Sequence, residues 1–580
     1  MTQSTLSTLG SYIRPYWHKT ALGISALLVV NGIGAYIPQL IRKAIDRLEV
    51  TFSFDQILQA SVLVIVLASV MWVVRMVSRT LIFGVGRQVE FDLKQRIFQH
   101  ILKLEPAYFQ RMKPGEIISR ATSDVDNIRR LVGFAVLSLA NIIFAYALTL
   151  PFMVNIDPGL TLAALLVYPI MLFMVNLFSN RLRDEQQEVQ EQTANISDLI
   201  QEDMSGMALI KIYSQEDNER QAFRQLNRRL LNANLRLGRT RNTLFPLLSG
   251  LASVSLLVIL ALGSRAIASG ALSVGDFVAL LLYVERLVFP TALLGFTLTA
   301  YQRGEVSLQR VEGILSVAPK IYSGPQAQGL PQAMGRIEAK QLTYRYPGAD
   351  QPALTDVTFS IQPGETVAVV GPIGSGKSTL ANAVPYLLDI AADQLFVDGY
   401  DITTLQLEDL RTAIAYVPQD SFLFSTTIRN NIRYGDPTAE QSEVEQAAKQ
   451  AQIHSEILNF PKQYDTLVGE RGITLSGGQR QRTALARALL VDAPILILDD
   501  ALSSVDSRTA SAILGNLSSG TAQKTVIFIS HQMSAAATAD RILVMDRGRI
   551  VQSGAHEVLL RQTGLYQQLW DQHRLEEVLH

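Results

Sequence analysis

The chain has 580 residues, long enough for more than one domain. A formal net charge of −1 argues against a nucleic-acid partner, and the absence of cysteine excludes disulfides, iron–sulfur clusters and thiol catalysis. Hydrophobic residues make up 48% and mean hydropathy is +0.19, high for a soluble protein; the excess lies in residues 1–300, whereas residues 336–580 have an ordinary soluble composition.

Six apolar stretches are expected to cross a membrane, near residues 20–41, 57–78, 132–154, 159–180, 243–264 and 276–299. Each supplies the roughly 20 residues that a helix needs to span the hydrocarbon core. Runs such as Ser61 to Ala68 are apolar on every side, which suits lipid better than the surface of a soluble core. The first stretch is too long for a signal-peptide core and has no convincing cleavage site, so it is expected to remain in the mature protein.

Loop charge gives the orientation. Residues 87–131 carry nine Lys/Arg and residues 181–242 carry ten, whereas the turn at 155–158 has none and that at 265–275 has only Arg265. Both long linkers and both termini are therefore expected in the cytoplasm. Arg42, Lys43 and Arg47 break the pattern on the outer side, which a helix extending past the membrane would accommodate. The linkers are amphipathic with few breakers, so they are expected to continue the spanning helices as hairpins with tips near Tyr108–Asp126 and Asn195–Gln215. Such tips are placed to dock onto a cytoplasmic domain. Glu285 and Arg286 fall inside the sixth stretch, as a structural ion pair with another helix or as a polar lining of a transport path.

Residues 1–318 thus form an expected transmembrane domain, the Pro- and Gly-rich stretch 319–335 a linker, and 336–580 a soluble α/β domain. A buried strand over Glu365–Val370 leads into Gly371-Pro372-Ile373-Gly374-Ser375-Gly376-Lys377-Ser378, followed by Thr379. This is a phosphate-binding loop in its strand–loop–helix setting. Gly371, Gly374 and Gly376 let backbone N–H groups turn inward, with Ser375, and the following helix presents its positive end. Lys377 is expected at the β/γ-phosphates of ATP and Ser378 at Mg²⁺. A second apolar strand, Ile495 to Leu498, ends at Asp499, whose carboxylate would face the same pocket and hold the metal through water.

The stretch Leu475-Ser476-Gly477-Gly478-Gln479-Arg480-Gln481-Arg482 decides the class. Through Leu475–Gln479 it matches the signature of ATP-binding-cassette transporters, and the whole chain resembles a half-size exporter of the multidrug and lipid-export type. The resemblance implies an all-α six-helix transmembrane domain followed by an α/β cassette. It also implies a dimer, in which each ATP is held between one chain's phosphate loop and Ser476, Gly477, Gly478 and Gln479 of the other. Tyr346 resembles the aromatic residue that stacks on adenine, with Tyr344 the weaker choice. Gln419 resembles the glutamine that touches Mg²⁺, His531 the histidine that contacts the γ-phosphate, Thr466–Gly472 the exporter-specific segment that meets the hairpin tips, and Ser503–Asp506 the loop linking the two sites.

Asp500 departs from the usual pattern, since most such engines carry glutamate directly after the strand-ending aspartate. Aspartate keeps the carboxylate but withdraws it by about one carbon–carbon bond, roughly 1–1.5 Å. A slow site is expected, with Asp500, His531 and Gln419 as the catalytic candidates. The resemblance implies a heterodimer for an intact signature beside a slow site, since many exporters of this type pair one competent and one slow site, with a homodimer as the alternative. The expected function is ATP-driven export of a drug, lipid or peptide across a membrane, in bacteria the cytoplasmic one, with the cassette in the cytoplasm. An ATP-gated channel or membrane sensor of the same architecture is the competing reading.

Overall fold

The computed structural model describes residues 5–50, 53–469, 472, 474–503, 509–510, 513 and 524–579. These fall into two compact units: residues 1–100 with 114–317, and residues 101–113 with 318–580.

The first unit is all-helical. Six helices long and apolar enough to cross a membrane run Ser7–Leu48 (α1), Phe54–Ile101 (α2), Pro114–Ile156 (α3), Pro158–Ile212 (α4), Glu216–Ala268 (α5) and Val274–Leu315 (α6). Each contains one of the six apolar stretches seen in the sequence. Helices α2, α4 and α5 hold 48, 55 and 53 residues, far more than the roughly 20 that a bilayer requires. The basic linkers are therefore continuations of the spans, with no loop between. Between α4 and α5 the chain reverses over Tyr213–Gln215, where Ser214 takes a left-handed φ of 52°. The reversal between α2 and α3 is built around the short helix Pro106–Arg111, and its segment Ile101–Lys113 belongs to the second unit.

Packing of α6 organises the membrane unit. Tyr283 and Leu287 of α6 are fully buried with Met153, Tyr168 and Ile259 from α3, α4 and α5. The Tyr283 hydroxyl donates to the carbonyl of Ala35 in α1 at 2.8 Å. Among the described residues Arg286 has no ion-pair partner, although an ion pair was one of its two expected roles. Its Nη2 donates to the Asn31 carbonyl at 2.9 Å and to Asn31 Oδ1 at 3.3 Å. Asn31 Nδ2 in turn donates to Asn141 Oδ1 at 3.0 Å, joining α1, α3 and α6. A Cβ on Gly34 would lie 1.7 Å from Arg286 Nη1, so a side chain there would displace the guanidinium. At the outer ends Arg42 Nε meets Asp276 Oδ1 at 2.6 Å, and Asp46 accepts from the Gly275 N–H at 3.0 Å. Arg42, one of the three outer-loop basic residues that break the charge pattern, is thus neutralised by the start of α6.

The second unit is an α/β domain with two sheets. An antiparallel sheet has the order β2-β1-β4-β5, from Leu354–Ile361 (β2), Ile337–Tyr344 (β1), Leu395–Val397 (β4) and Tyr400–Asp401 (β5). The larger sheet has the order β10-β9-β3-β8-β7-β6, from Arg549–Gly554 (β10), Arg541–Asp546 (β9), Thr366–Val370 (β3), Thr525–Ile529 (β8), Ile495–Asp499 (β7) and Ile414–Val417 (β6). All its pairings are parallel except β9–β10. Strands β3, β7 and β8 are buried at every residue, which explains their unbroken Val/Ile/Leu runs. Alternate residues serve opposite layers, as a two-residue period requires. Ala368, Leu496, Leu498 and Phe528 join the core beneath the helix Gly477–Leu490 (α8), and Val369, Ile497 and Ile529 join the one beneath Lys377–Ala383 (α7). Residues 319–335 lie along this domain: Ile321 is in its core, and Gln328 and Gln406 exchange backbone hydrogen bonds with the chain at Thr404 and Gln328.

Candidate nucleotide site

Three neighbouring central strands end at the same edge. The order β3-β8-β7, with Val369 and Asp499 both level with Ile529, brings the ends of these strands side by side. Ligands of open parallel sheets sit at such carboxyl ends. Here β3 runs into the glycine loop, β7 delivers Asp499 and Asp500, and β8 leads to His531. A cavity of about 330 Å³ opens there, lined by residues 373–379, Gln419, Asp499, Asp500 and His531, together with Ala353 and Ile529.

The loop is shaped for close approach. Gly371 has φ 153° and Gly376 φ 98°; a Cβ would lie 2.1 Å from the Met545 carbonyl at the first and 2.6 Å from the Ala353 carbonyl at the second. Lys377 Nζ donates to the carbonyls of Gly371 (2.8 Å) and Pro372 (2.9 Å). Its ammonium is therefore held across the loop. Burial lowers the Lys377 pKa, against the pull of Asp500 and Asp499. Ser375 is 2% exposed and its Oγ has no hydrogen-bond partner among the described residues. A buried orphan hydroxyl in a glycine cradle fits a phosphate oxygen.

The Ser378 hydroxyl donates to Asp499 Oδ1 at 3.0 Å. Burial raises the Asp499 pKa, aided by the charge of Asp500 and opposed by the Ser378 bond. Two carboxylates, a serine hydroxyl and the Gln419 amide thus meet in one pocket. This is an all-oxygen donor set suited to Mg²⁺ when phosphate oxygens complete the coordination. Among the described residues no group of three or more His, Asp or Glu gathers to hold a metal without such help.

Asp500 has φ 51°, a left-handed conformation that aspartate tolerates better than most residues. Its N–H donates to the Ile529 carbonyl at 3.1 Å, and its own carbonyl accepts from Ser503 Oγ at 2.9 Å and from Gln481 Nε2 at 3.4 Å. Burial raises its pKa, while nearby His531, Ser503 and Lys377 and a bond from Gln419 act in the opposite sense. Gln481 lies on α8, so it ties the signature helix to the backbone of Asp500. Sequence reasoning had not singled it out. Tyr416 was also missed: its hydroxyl donates to Asn382 Oδ1 at 2.9 Å and also bonds Asp499. Its only signal in the sequence was its place three residues before Gln419.

Tyr346 lies beside the pocket and not in its lining. Its hydroxyl is 3.4 Å from Thr379 Oγ1, and its ring is only partly buried. Tyr344 is 6% exposed and packs edge-on against Tyr346 within the core, so Tyr346 is the one available to a ligand. The signature residues lie elsewhere: none of Ser476, Gly477, Gly478 and Gln479 lines the pocket. Ser476 caps α8, its Oγ accepting from the Gln479 N–H at 3.2 Å while its N–H donates to Gln479 Oε1 at 2.9 Å. Ser504, Val505 and Asp506 of the linking loop, and Glu470 and Arg471 of the segment before the signature, lie outside the described residues.

Comparison with known proteins adds to this geometry. Residues 20–291 match the ABC transporter transmembrane region, and residues 354–503 match the ABC transporter family. The chain is 33% identical to the multidrug resistance-like ATP-binding protein MdlA of Escherichia coli (strain K12), over 98% of this chain and 97% of that protein. It is 31% identical to the ATP-dependent lipid A-core flippase of Syntrophus aciditrophicus (strain SB), covering 96% of this chain and 92% of that protein. A solved bacterial Atm1-family ABC exporter with ATP bound superposes with a TM-score of 0.76 at 26% identity, covering 98% of each chain.

Proposed function

The chain belongs to the ATP-binding-cassette transporter family and is an ATP-driven exporter, and on that premise we propose that it is the slow-site half of a heterodimer. It sits in a bacterial cytoplasmic membrane with its cassette in the cytoplasm, and exports a hydrophobic or amphipathic molecule by alternating access. In its own pocket the phosphates of ATP lie in the loop Gly371–Ser378. Lys377 turns to the β/γ-phosphates, the Ser375 hydroxyl gains a partner, Thr379 lies next along the chain and Tyr346 stacks on adenine. Ser378, Asp499 and Gln419 hold Mg²⁺, which when bound neutralises phosphate charge.

Asp500 takes the proton of the attacking water and His531 contacts the γ-phosphate. Burial makes the Asp500 carboxylate a stronger base, but its shorter side chain leaves it short of the in-line position. Ser476, Gly477, Gly478 and Gln479 complete the partner's pocket in return. The observation that carries this reading is the separation within one chain. The catalytic carboxylates, Lys377 and the orphan Ser375 hydroxyl share one cavity, while the N-terminus of α8 serves no part of it. The free N–H groups of that helix start form an anion site.

Purification of the tagged chain from its native host tests the pairing. It is expected to bring down a second half-transporter with glutamate at the position of Asp500. Recovery of the chain solely as a homodimer would overturn the heterodimer reading.

A further inference from the structure

The membrane unit holds a second group of convergent charges, far in sequence from the nucleotide site. Two adjoining cavities of about 460 and 440 Å³ share Phe296, Thr299 and Arg303 of α6. The first is completed by Arg130 and Phe134 of α3, the second by Arg183 of α4 and Arg241 of α5. Four helices thus each present an arginine, and neither cavity is lined by an Asp or Glu. Arg130 is engaged by Asp126 at 2.8 Å. Arg183, Arg241 and Arg303 have no ion pair or hydrogen bond among the described residues.

All four lie within a few residues of an apolar stretch, on its cytoplasmic side. Asymmetry of loop charge explains why basic residues occur on that side. It does not explain why Arg183, Arg241 and Arg303 line one cavity that holds no Asp or Glu, with Arg130 in the adjoining one, since gathered like charges repel one another. The same walls are apolar one to three turns further along, with Phe134, Leu244, Phe296 and Leu293. Deeper in the bundle the pattern repeats. Arg286 rests on the Asn31 carbonyl, and Arg75 of α2 bonds Met71 Sδ at 3.7 Å.

From this arrangement we infer that the membrane unit binds an amphipathic anion, its phosphate or carboxylate head held by Arg303, Arg183 and Arg241 and its apolar part against Phe296 and Phe134. That this anion is the exported cargo rests on the exporter reading above; the binding does not. Guanidinium groups suit such a head because they pair with it through two parallel hydrogen bonds. The head belongs either to an anionic membrane lipid or to a water-borne amphiphile.

The test uses the full chain in nanodiscs of zwitterionic phosphatidylcholine, without ATP. Binding of dodecyl phosphate is compared with that of dodecyltrimethylammonium, which has the same chain and the opposite charge. The phosphate is expected to bind at least about tenfold more tightly, and Arg303→Gln to weaken it roughly tenfold while leaving the cation unaffected. Arg303→Lys keeps the charge but not the paired hydrogen bonds and is expected to recover only part of the loss; unaltered ATP binding by each variant shows that it is folded. Competition by phosphatidylglycerol in the disc would assign the head to a lipid, and its absence to a soluble amphiphile. Equal or tighter binding of the cation, or a phosphate affinity indifferent to Arg303→Gln, overturns the inference. Because no turnover is measured, that result leaves ATP-driven export standing, and a loss of ATP-dependent transport would leave the anion site standing.

Discussion

Asp500 is held by its backbone as firmly as by its side chain. Its left-handed φ of 51° and the four hydrogen bonds from and to its peptide groups, one of them from the Ser503 N–H at 3.3 Å, fix where the carboxylate starts. The side chain therefore has little freedom to recover the missing methylene by moving the main chain. The sequence revealed the short side chain but not this conformation, because a left-handed residue after a buried strand has no compositional signature. Asp499 next to it is raised in pKa chiefly by burial, so its ionisation opposes folding in the absence of ligand. The folded value lies above the unfolded one, and stability falls as pH rises through the folded pKa. Asp499→Asn is accordingly expected to raise the melting temperature of the nucleotide-free protein at neutral pH. That gain should vanish as pH falls towards the ordinary aspartate range, about 3.9, and Mg²⁺-dependent nucleotide binding should be lost; thermal scans across pH check both. Lys377→Ala removes a charge-assisted donor from the cradle and is expected to weaken ATP binding roughly 10- to 100-fold, as measured by equilibrium titration.

Strand and helix positions explain why the site was so readable in the sequence. Strands β3, β7 and β8 are buried at every position because both faces are covered, and their apolar runs lead directly into Gly371, Asp499 and Ser530 at the site. The runs therefore announced the strands and their ends announced the pocket. The six spans were legible for a similar reason, since a helix in lipid is apolar all round. What the sequence could not supply was pairing between elements. Arg286 met a carbonyl of α1 and not a carboxylate, and its room there depends on Gly34, more than 250 positions away in the chain. Gly34→Ala should push the guanidinium off this carbonyl and cost about 1 kcal/mol for the lost hydrogen bond, with a lower unfolding temperature in detergent. The junction at 319–335 reads as a spacer by composition, yet Ile321 is buried in the same core cluster as Leu405 and Leu410, more than 80 residues further on.

For the assembly as a whole, the decisive feature is a division between what the chain keeps and what it offers. Its own pocket gathers the phosphate loop, the metal-binding candidates and Asp500. Its signature helix begins outside that pocket, with Ser476 and Gln479 satisfying one another and the glycine N–H groups left for a ligand. Motif order made the class of machine legible, because each motif lies at the end of a strand or the start of a helix. The arginine cluster of the membrane unit was not legible, because its members line two adjoining cavities and come from four helices spread over residues 130–303. The central claim is that the pocket binds ATP yet hydrolyses it slowly for want of reach. It is tested most directly by the ATPase rate of the chain alone in lipid, beside that of Asp500→Glu. The account predicts wild-type turnover near background and an increase of about 10²-fold in the variant; brisk turnover by the wild-type chain alone, unchanged by the substitution, would contradict it.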